Sequence, residues 1–147
     1  MAIYQHILLA VDFAPDSEQV VQRARDLARF HEARLSLVHV TEYVPVDMAN
    51  ELVLPQEVEL DRELNELATK RLADLGERIG VVAADQHVLQ GNTRGEILHL
   101  AEELRADLIV LGSHGRQGLQ RLLGSTADAV LHGAPCDVLA VRLKKPE

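Results

Sequence analysis

The sequence predicts an α/β fold in which helices cover both faces of one parallel β-sheet. Segments typical of strands and of helices alternate along the chain in the order βαβαβαβαβ, and this alternation is characteristic of parallel sheets. The apolar runs at residues 7–11 and 108–111 contain no polar residue, which is typical of strands buried on both faces. We therefore expect these two strands at the centre of the sheet.

Hydrophobic periodicity and turn residues place the individual elements. The five strands are predicted at residues 3–12, 35–40, 85–90, 107–111 and 136–142. The four intervening helices are predicted to end at about residues 31, 79, 105 and 132. The second and longest helix, residues 56–79, carries a stripe predicted to face the core, formed by Leu60, Leu64, Leu67, Ala68, Arg71, Leu72 and Leu75.

Two helix starts carry capping signals. Thr93 and Glu96 match the capping box, in which the first side chain caps the helix and the second returns the hydrogen bond. Ser125, with Asp128 three residues later, is predicted as the N-cap of the last helix.

Composition sets the size of the protein and the kind of core. The chain has 147 residues, of which 47% are hydrophobic and 3% aromatic, so we expect one domain over residues 1–147 with an aliphatic core. The net charge is −8, from 23 acidic and 15 basic residues. This balance argues against nucleic acid as a partner, because nonspecific binding needs a basic surface.

The sequence also predicts a cellular location. Cys136 is the only cysteine, which excludes an intrachain disulfide and fits a reducing compartment. No apolar run approaches the roughly 18 residues that a membrane-spanning helix needs, and the first residues do not resemble a signal peptide. We expect a cytoplasmic protein with no membrane partner.

A glycine-rich segment over residues 112–126 joins the fourth strand to the last helix. Glycines let the backbone approach a ligand closely, and a helix N-terminus offers N–H groups to a phosphate. Arg116 and Arg121 would add positive charge. The segment is neither a Walker A loop nor a dinucleotide fingerprint. It indicates either a phosphate-binding loop or merely a tight connection.

Other candidate residues follow the remaining strands. Asp12, Gly91, Gly112 and the residues after Val40 all stand at predicted carboxyl ends. The carboxyl ends of parallel strands meet at one edge of the sheet, where ligands of this fold class bind. The sequence therefore predicts a ligand site at this edge.

Several short motifs then occur in a fixed order over the whole chain. They are Ala-Val-Asp at residues 10–12, His-Val at 39–40, Gly-Ser-His-Gly at 112–115, Gly-Ser at 124–125 and Ala-Pro-Cys-Asp-Val-Leu-Ala-Val at 134–141. Together they resemble the universal stress protein family. The resemblance implies a doubly wound, flavodoxin-like three-layer sandwich whose five parallel strands are ordered 3-2-1-4-5. It also implies a cytoplasmic homodimer paired through residues 138–142.

The same resemblance implies a stress-response regulator or sensor that binds ATP, AMP or another adenine nucleotide. Its base and ribose would be held at the ends of the first two strands, and its phosphates at the glycine-rich segment. The implied nucleotide-binding residues are Ala10, Val11, Asp12, Val40, Gly112, Gly115, Gly124, Ser125 and Thr126. Any Mg²⁺ would be held mainly by the phosphates and water, with no protein metal ligand.

The chain departs from the family pattern in one place. The nucleotide-binding branch has nine residues between the second and third motif glycines, whereas eight residues separate Gly115 from Gly124. One residue fewer shifts the flanks by up to about 3.5 Å. We therefore expect modest nucleotide binding that depends less on the γ-phosphate.

Catalysis is the least supported chemistry. His39 and His114 flank the predicted site, but packing or loop roles account for both. Asp12 stands where response regulators carry a phospho-acceptor, yet their switch-point lysine has no counterpart before Lys70. We assign no catalytic residue and expect at most weak ATP hydrolysis. The competing function is a dimeric protein-interaction module of the family branch that does not bind nucleotide, with a vestigial pocket.

Overall fold

The computed structural model describes residues 3–42, 55–113 and 125–143. The strands are β1 (His6–Ala10), β2 (Arg34–Thr41), β3 (Gln86–Gln90), β4 (Leu108–Gly112) and β5 (Asp137–Val141). The helices are α1 (Glu18–His31), α2 (Pro55–Ile79), α3 (Thr93–Leu104) and α4 (Ser125–Gly133).

All strand pairs are parallel, and the sheet order is β3-β2-β1-β4-β5. This confirms the predicted doubly wound architecture and the 3-2-1-4-5 order. β1 lies at the centre between β2 and β4, as its uninterrupted apolar run predicts. The chain leaves β1 towards β2 but places β4 on the other side of β1, so the strand order reverses there. Such a reversal is where open α/β sheets form a ligand crevice.

The core has two halves because successive strand residues point to opposite faces of the sheet. Ile7 and Leu9 of β1 pack in the half that includes α1 and the C-terminal part of α2. Leu8 packs in the other half with Ile97 of α3 and Val130 of α4. The buried residues of both halves are aliphatic, as the low aromatic content of the sequence predicts.

The predicted core stripe of α2 is only half correct. Ala68, Leu72 and Leu75 are buried, whereas Leu64 and Leu67 are 42% and 46% exposed, and Leu60 and Arg71 are also exposed. The reason is length: 25 helical residues span about 37 Å, while the 8 residues of the longest strand span about 26 Å. The N-terminal turns of α2 therefore extend past the carboxyl edge of the sheet.

The predicted capping box of α3 is wrong. The N-cap is Asn92, whose side-chain oxygen accepts a hydrogen bond from the Gly95 N–H at 2.9 Å. Thr93 is the first helical residue and donates its hydroxyl to Glu42 instead. Ser125, the predicted N-cap of the last helix, is the first residue of α4, and the residue before it lies outside the described residues. Sequence patterns place such boundaries only to within a residue or two.

Candidate functional site

A cavity of about 500 Å³ opens at the carboxyl edge of the sheet. Its walls come from the ends of β1, β2 and β4, from one face of α2, and from the first turns of α3 and α4. The volume is in the range of small-molecule sites. Six of the sequence-predicted residues line it, namely Ala10, Val11, Asp12, Val40, Gly112 and Thr126.

Of the other three predicted residues, only Ser125 belongs to the part of the chain that the structure describes. Ser125 is exposed at the start of α4 and does not line the cavity, although its neighbour Thr126 does. Gly115 and Gly124 lie outside the described residues. The structure thus brings together the residues predicted to hold a base and ribose, and one of those predicted to contact phosphate.

Asp12 stands directly after β1, at the mouth of the crevice. Its Oδ1 accepts a hydrogen bond from the backbone N–H of Ala14 at 3.0 Å, which closes a turn of the kind aspartate often forms after a strand. No described residue donates to its Oδ2. The half-buried carboxylate therefore holds the local backbone with one oxygen and has a second oxygen available to a ligand hydroxyl.

Phe13 follows with a backbone φ of 57°, which is uncommon for a residue with a bulky side chain. Its ring packs against the His39 ring, with centroids 4.6 Å apart. The His39 Nδ1 lies 2.6 Å from the carbonyl oxygen of Val11. Because a carbonyl only accepts, Nδ1 carries the proton and donates. These contacts fix both rings at the end of β1.

Sequence reasoning missed Phe13 as a site residue and assigned Arg71 to the core. The Arg71 guanidinium instead lies over the Phe13 ring, with its carbon 5.8 Å from the ring centroid, and both residues line the cavity. Helical periodicity alone assigned Arg71 to the core face, and no sequence pattern reports a positive φ at phenylalanine. Only the position of Phe13 directly after Asp12 pointed to it.

On the opposite side of the opening, Glu42 and Thr93 connect the end of β2 to the start of α3. The Thr93 hydroxyl donates to Glu42 Oε1 at 2.8 Å, and both residues line the cavity. The described wall thus carries two carboxylates, those of Asp12 and Glu42, and one guanidinium, that of Arg71. A ligand would meet charged groups of both signs.

Between these charged groups the wall is apolar. The side chains that line it there are Val40, Leu64, Leu67, Ile97 and Leu111. An apolar surface with a few polar groups is typical of sites that bind a flat heterocycle and orient it by hydrogen bonds. The sequence predicted that Leu64 and Leu67 of α2 would fill the core. They are instead half exposed and line the cavity.

A second polar cluster lies at the amino edge of the sheet. His6 Nε2 is 2.7 Å from the Ser36 hydroxyl oxygen, and Asp85 accepts hydrogen bonds from Arg34 and Ser36. Ser36 is fully buried, so it is inaccessible to a substrate. Burial lowers the pKa of the His6 imidazole, which keeps the ring neutral inside the fold. This cluster is structural.

Two further features concern only the part of the chain that the structure describes. No group of three or more His, Cys, Asp or Glu side chains is arranged there to hold a metal ion. No helix there combines the length and the apolar character required to cross a bilayer.

Sequence comparison identifies relatives over nearly the whole chain. The model of the universal stress protein family matches residues 3–142. Universal stress protein A homolog 1 of Coxiella burnetii is 44% identical over 142 residues, which cover 97% of this chain and 99% of the relative. Universal stress protein MJ0531 of Methanocaldococcus jannaschii is 33% identical and covers 99% of this chain, with 86% of its own length matched.

Solved structures of the same family share the fold. Universal stress protein UspA from Lactobacillus plantarum superimposes with a TM-score of 0.81 at 25% identity, covering 98% of this chain and 100% of its own. A universal stress protein solved in complex with cAMP gives a TM-score of 0.63 at 24% identity, covering 95% of this chain and 97% of its own. By its sequence and its fold, the chain belongs to the universal stress protein family.

Proposed function

We propose that this universal stress protein binds an adenine nucleotide in the cavity at the carboxyl edge of its sheet, and that it acts as a cytoplasmic stress-response regulator. One observation carries the proposal. Six residues from four separate segments of the sequence were predicted together as nucleotide-binding and line one cavity, namely Ala10, Val11, Asp12, Val40, Gly112 and Thr126.

The chemistry of the wall supports this ligand class. The apolar side chains between β2, α2 and α3 suit the faces of a purine. The second oxygen of Asp12 suits a ribose hydroxyl, because a carboxylate accepts strongly from such a donor. Thr126 lies in the first turn of α4, where backbone N–H groups and the helix dipole favour a phosphate.

The number of phosphates is a separate question. Because one residue is missing between Gly115 and Gly124, we expect ATP to gain little over AMP. A structural relative was solved with cAMP, so this cyclic monophosphate belongs among the candidates. Any Mg²⁺ would enter with the phosphates of a bound nucleotide and would keep much of its water.

Two measurements on the freshly purified protein test the proposal. Denaturing the protein and separating the released small molecules by mass spectrometry identifies any nucleotide that it carries from the cell. Thermal shift with AMP, ATP and cAMP, with GTP as the control for the base, then compares the ligands. We expect the adenine nucleotides to raise the melting temperature more than GTP does. The absence of any shift at millimolar concentration would contradict nucleotide binding.

We further propose that two copies pair through residues 138–142. Among the described strands, β5 lies at the edge of the sheet and pairs only with β4, and Val138, Leu139 and Ala140 are half-buried in the single chain. Exposed apolar edge strands are normally covered by a partner. Light scattering at micromolar concentration should give twice the chain mass of 16.2 kDa, whereas a monomer mass would contradict the pairing.

The dimer also bears on the competing function. If the protein is dimeric but binds no nucleotide, the family branch that works as a protein-interaction module becomes the better description. Dimerisation is expected of both candidate functions, whereas nucleotide binding is expected of only the first. Thermal shift together with light scattering therefore separates the two.

A further inference from the structure

We propose that Arg71 determines the ligand preference of the cavity by pairing with a phosphate, so that nucleotides bind more tightly than nucleosides. The inference rests on the proposed function, because it assigns a role to a residue of the same cavity. It adds a phosphate-binding side chain from α2, outside the glycine-rich segment that the sequence identified.

The charge distribution on α2 singles out this residue. Arg62 pairs with Glu66 along the helix, and Arg78 pairs with Glu18 of α1. Arg71 and its neighbour Lys70 form no ion pair with any described residue, but Lys70 does not line the cavity. Arg71 is also the one lysine or arginine among the described residues that line the cavity. Arg71 is therefore the described cation best placed to meet an anionic ligand in this cavity.

The Phe13 ring orients the guanidinium. The Arg71 guanidinium carbon lies over the aromatic face, 5.8 Å from the ring centroid, within the range of a cation–π contact. The N–H groups of a guanidinium form a planar fork that matches two phosphate oxygens. The Phe13 ring is itself held against His39. The left-handed backbone at Phe13 thus places its ring beneath the Arg71 guanidinium.

The charges of this wall favour a cation as the partner of a bound anion. The chain carries a net charge of −8, and Asp12 and Glu42 add two carboxylates to the cavity. An anion entering there is repelled unless local positive charge offsets them. Arg71 supplies that charge from α2, whose position does not depend on the length of the segment between Gly115 and Gly124.

The test compares a charged and an uncharged ligand that share one base and ribose. Isothermal titration with AMP and with adenosine is performed on the wild type, Arg71→Gln, Arg71→Lys and the control Arg62→Gln. The control makes the same charge change on the same helix, outside the cavity. We expect Arg71→Gln to weaken AMP about tenfold and to leave adenosine within about twofold, since a charge-assisted hydrogen bond is lost.

The remaining variants sharpen the result. Arg71→Lys should lose less AMP affinity than Arg71→Gln, because it keeps the charge but not the planar fork. Arg62→Gln should change neither ligand. In the wild type, added salt should weaken AMP more than adenosine, which tests the charge contribution without a substitution.

The outcomes distinguish this inference from the proposed function. If the wild type binds both ligands and Arg71→Gln keeps the wild-type ratio of AMP to adenosine affinity, the role of Arg71 is overturned and the nucleotide site stands. If the wild type binds neither ligand, the proposed function fails and takes this inference with it. Equal loss of both ligands in Arg71→Gln would also overturn it, because that pattern indicates a packing role.

Discussion

Among the single residues of the site, we propose two roles for Asp12 at the end of β1. One carboxylate oxygen closes the turn to Ala14, and the other would accept a hydrogen bond from a ligand hydroxyl. These roles are separable because asparagine keeps a carbonyl oxygen for the turn but replaces the second oxygen with an amide donor.

We therefore predict that Asp12→Asn lowers the affinity for AMP and for ATP by similar factors, about 10- to 100-fold, because a hydrogen bond to a charged group contributes about 1.5–3 kcal/mol. Isothermal titration measures both constants. The melting temperature of the free protein should change little, since the turn is kept. Unchanged affinity in a folded variant would exclude Asp12 from the site.

A second residue prediction concerns pH. Burial, followed by the nearby Arg34 charge, lowers the pKa of His6 in the folded protein, so the unfolded chain binds the proton more readily. The His6 contribution to stability is therefore complete above the ordinary histidine pKa of about 6.5 and is lost as pH falls below it. One such group changes the unfolding free energy by at most about 1.4 kcal/mol per pH unit.

Urea unfolding at pH 7.5 and pH 5.5 checks this sign. His6→Gln should lose less stability on acidification than the wild type, even if it is less stable at pH 7.5. Equal acid sensitivity of the wild type and His6→Gln would contradict the assignment.

At the scale of elements, α2 divides into two parts with different tasks. Its C-terminal part packs on the sheet through Ala68, Leu72 and Leu75, and its N-terminal part presents Leu64 and Leu67 to the cavity. Amphipathic spacing is the same in both parts, so the sequence could not separate them. What separates them is the end of the sheet, which is set by strand lengths elsewhere in the chain.

We predict opposite consequences for two leucines of this helix. Leu72→Ala removes a buried side chain and should cost about 2–5 kcal/mol of unfolding free energy, as large core truncations do. Leu64→Ala truncates a half-exposed side chain at the cavity and should cost well under half as much, while weakening AMP. Urea unfolding and titration on both variants measure the two effects. A larger stability loss for Leu64→Ala would contradict the division.

The start of α3 gives another element-scale prediction. Asn92→Ala removes the side-chain acceptor of the Gly95 N–H and should destabilise the protein by about 1 kcal/mol. Thr93→Ala, which leaves that cap intact, should cost less and should instead free Glu42 from its hydrogen bond. Chemical denaturation of both variants decides between Asn92 and the Thr93 capping box that the sequence suggested.

For the whole molecule, the sequence could predict the features that follow from local hydrophobic patterns and from the residues at strand ends. Uninterrupted apolar runs placed β1 and β4 inside the sheet, and polar or glycine residues after the strands pointed to the edge at which the cavity opens. The order of the strands came from the family resemblance. The positive φ of Phe13, the cation above its ring and the Glu42–Thr93 bridge depend on how distant segments meet, which local periodicity does not encode.

The net charge of −8 gives the molecule a field that opposes anions, so nucleotide binding must depend on local groups at the carboxyl edge. Backbone N–H groups at the start of α4 and the Arg71 guanidinium are the described groups that would offset this field. The central claim therefore concerns where the ligand binds. We propose that an adenine nucleotide binds between the ends of β1, β2 and β4 and the N-terminal part of α2.

The crystal structure of the protein grown with saturating AMP tests this claim most directly. We predict one nucleotide in each chain, with its ribose hydroxyls within hydrogen-bond distance of Asp12 and its base against Val40 and the α2 leucines. Its phosphate should lie between Arg71 and the first turn of α4. An empty cavity at that concentration, or AMP bound on another surface, would contradict the account.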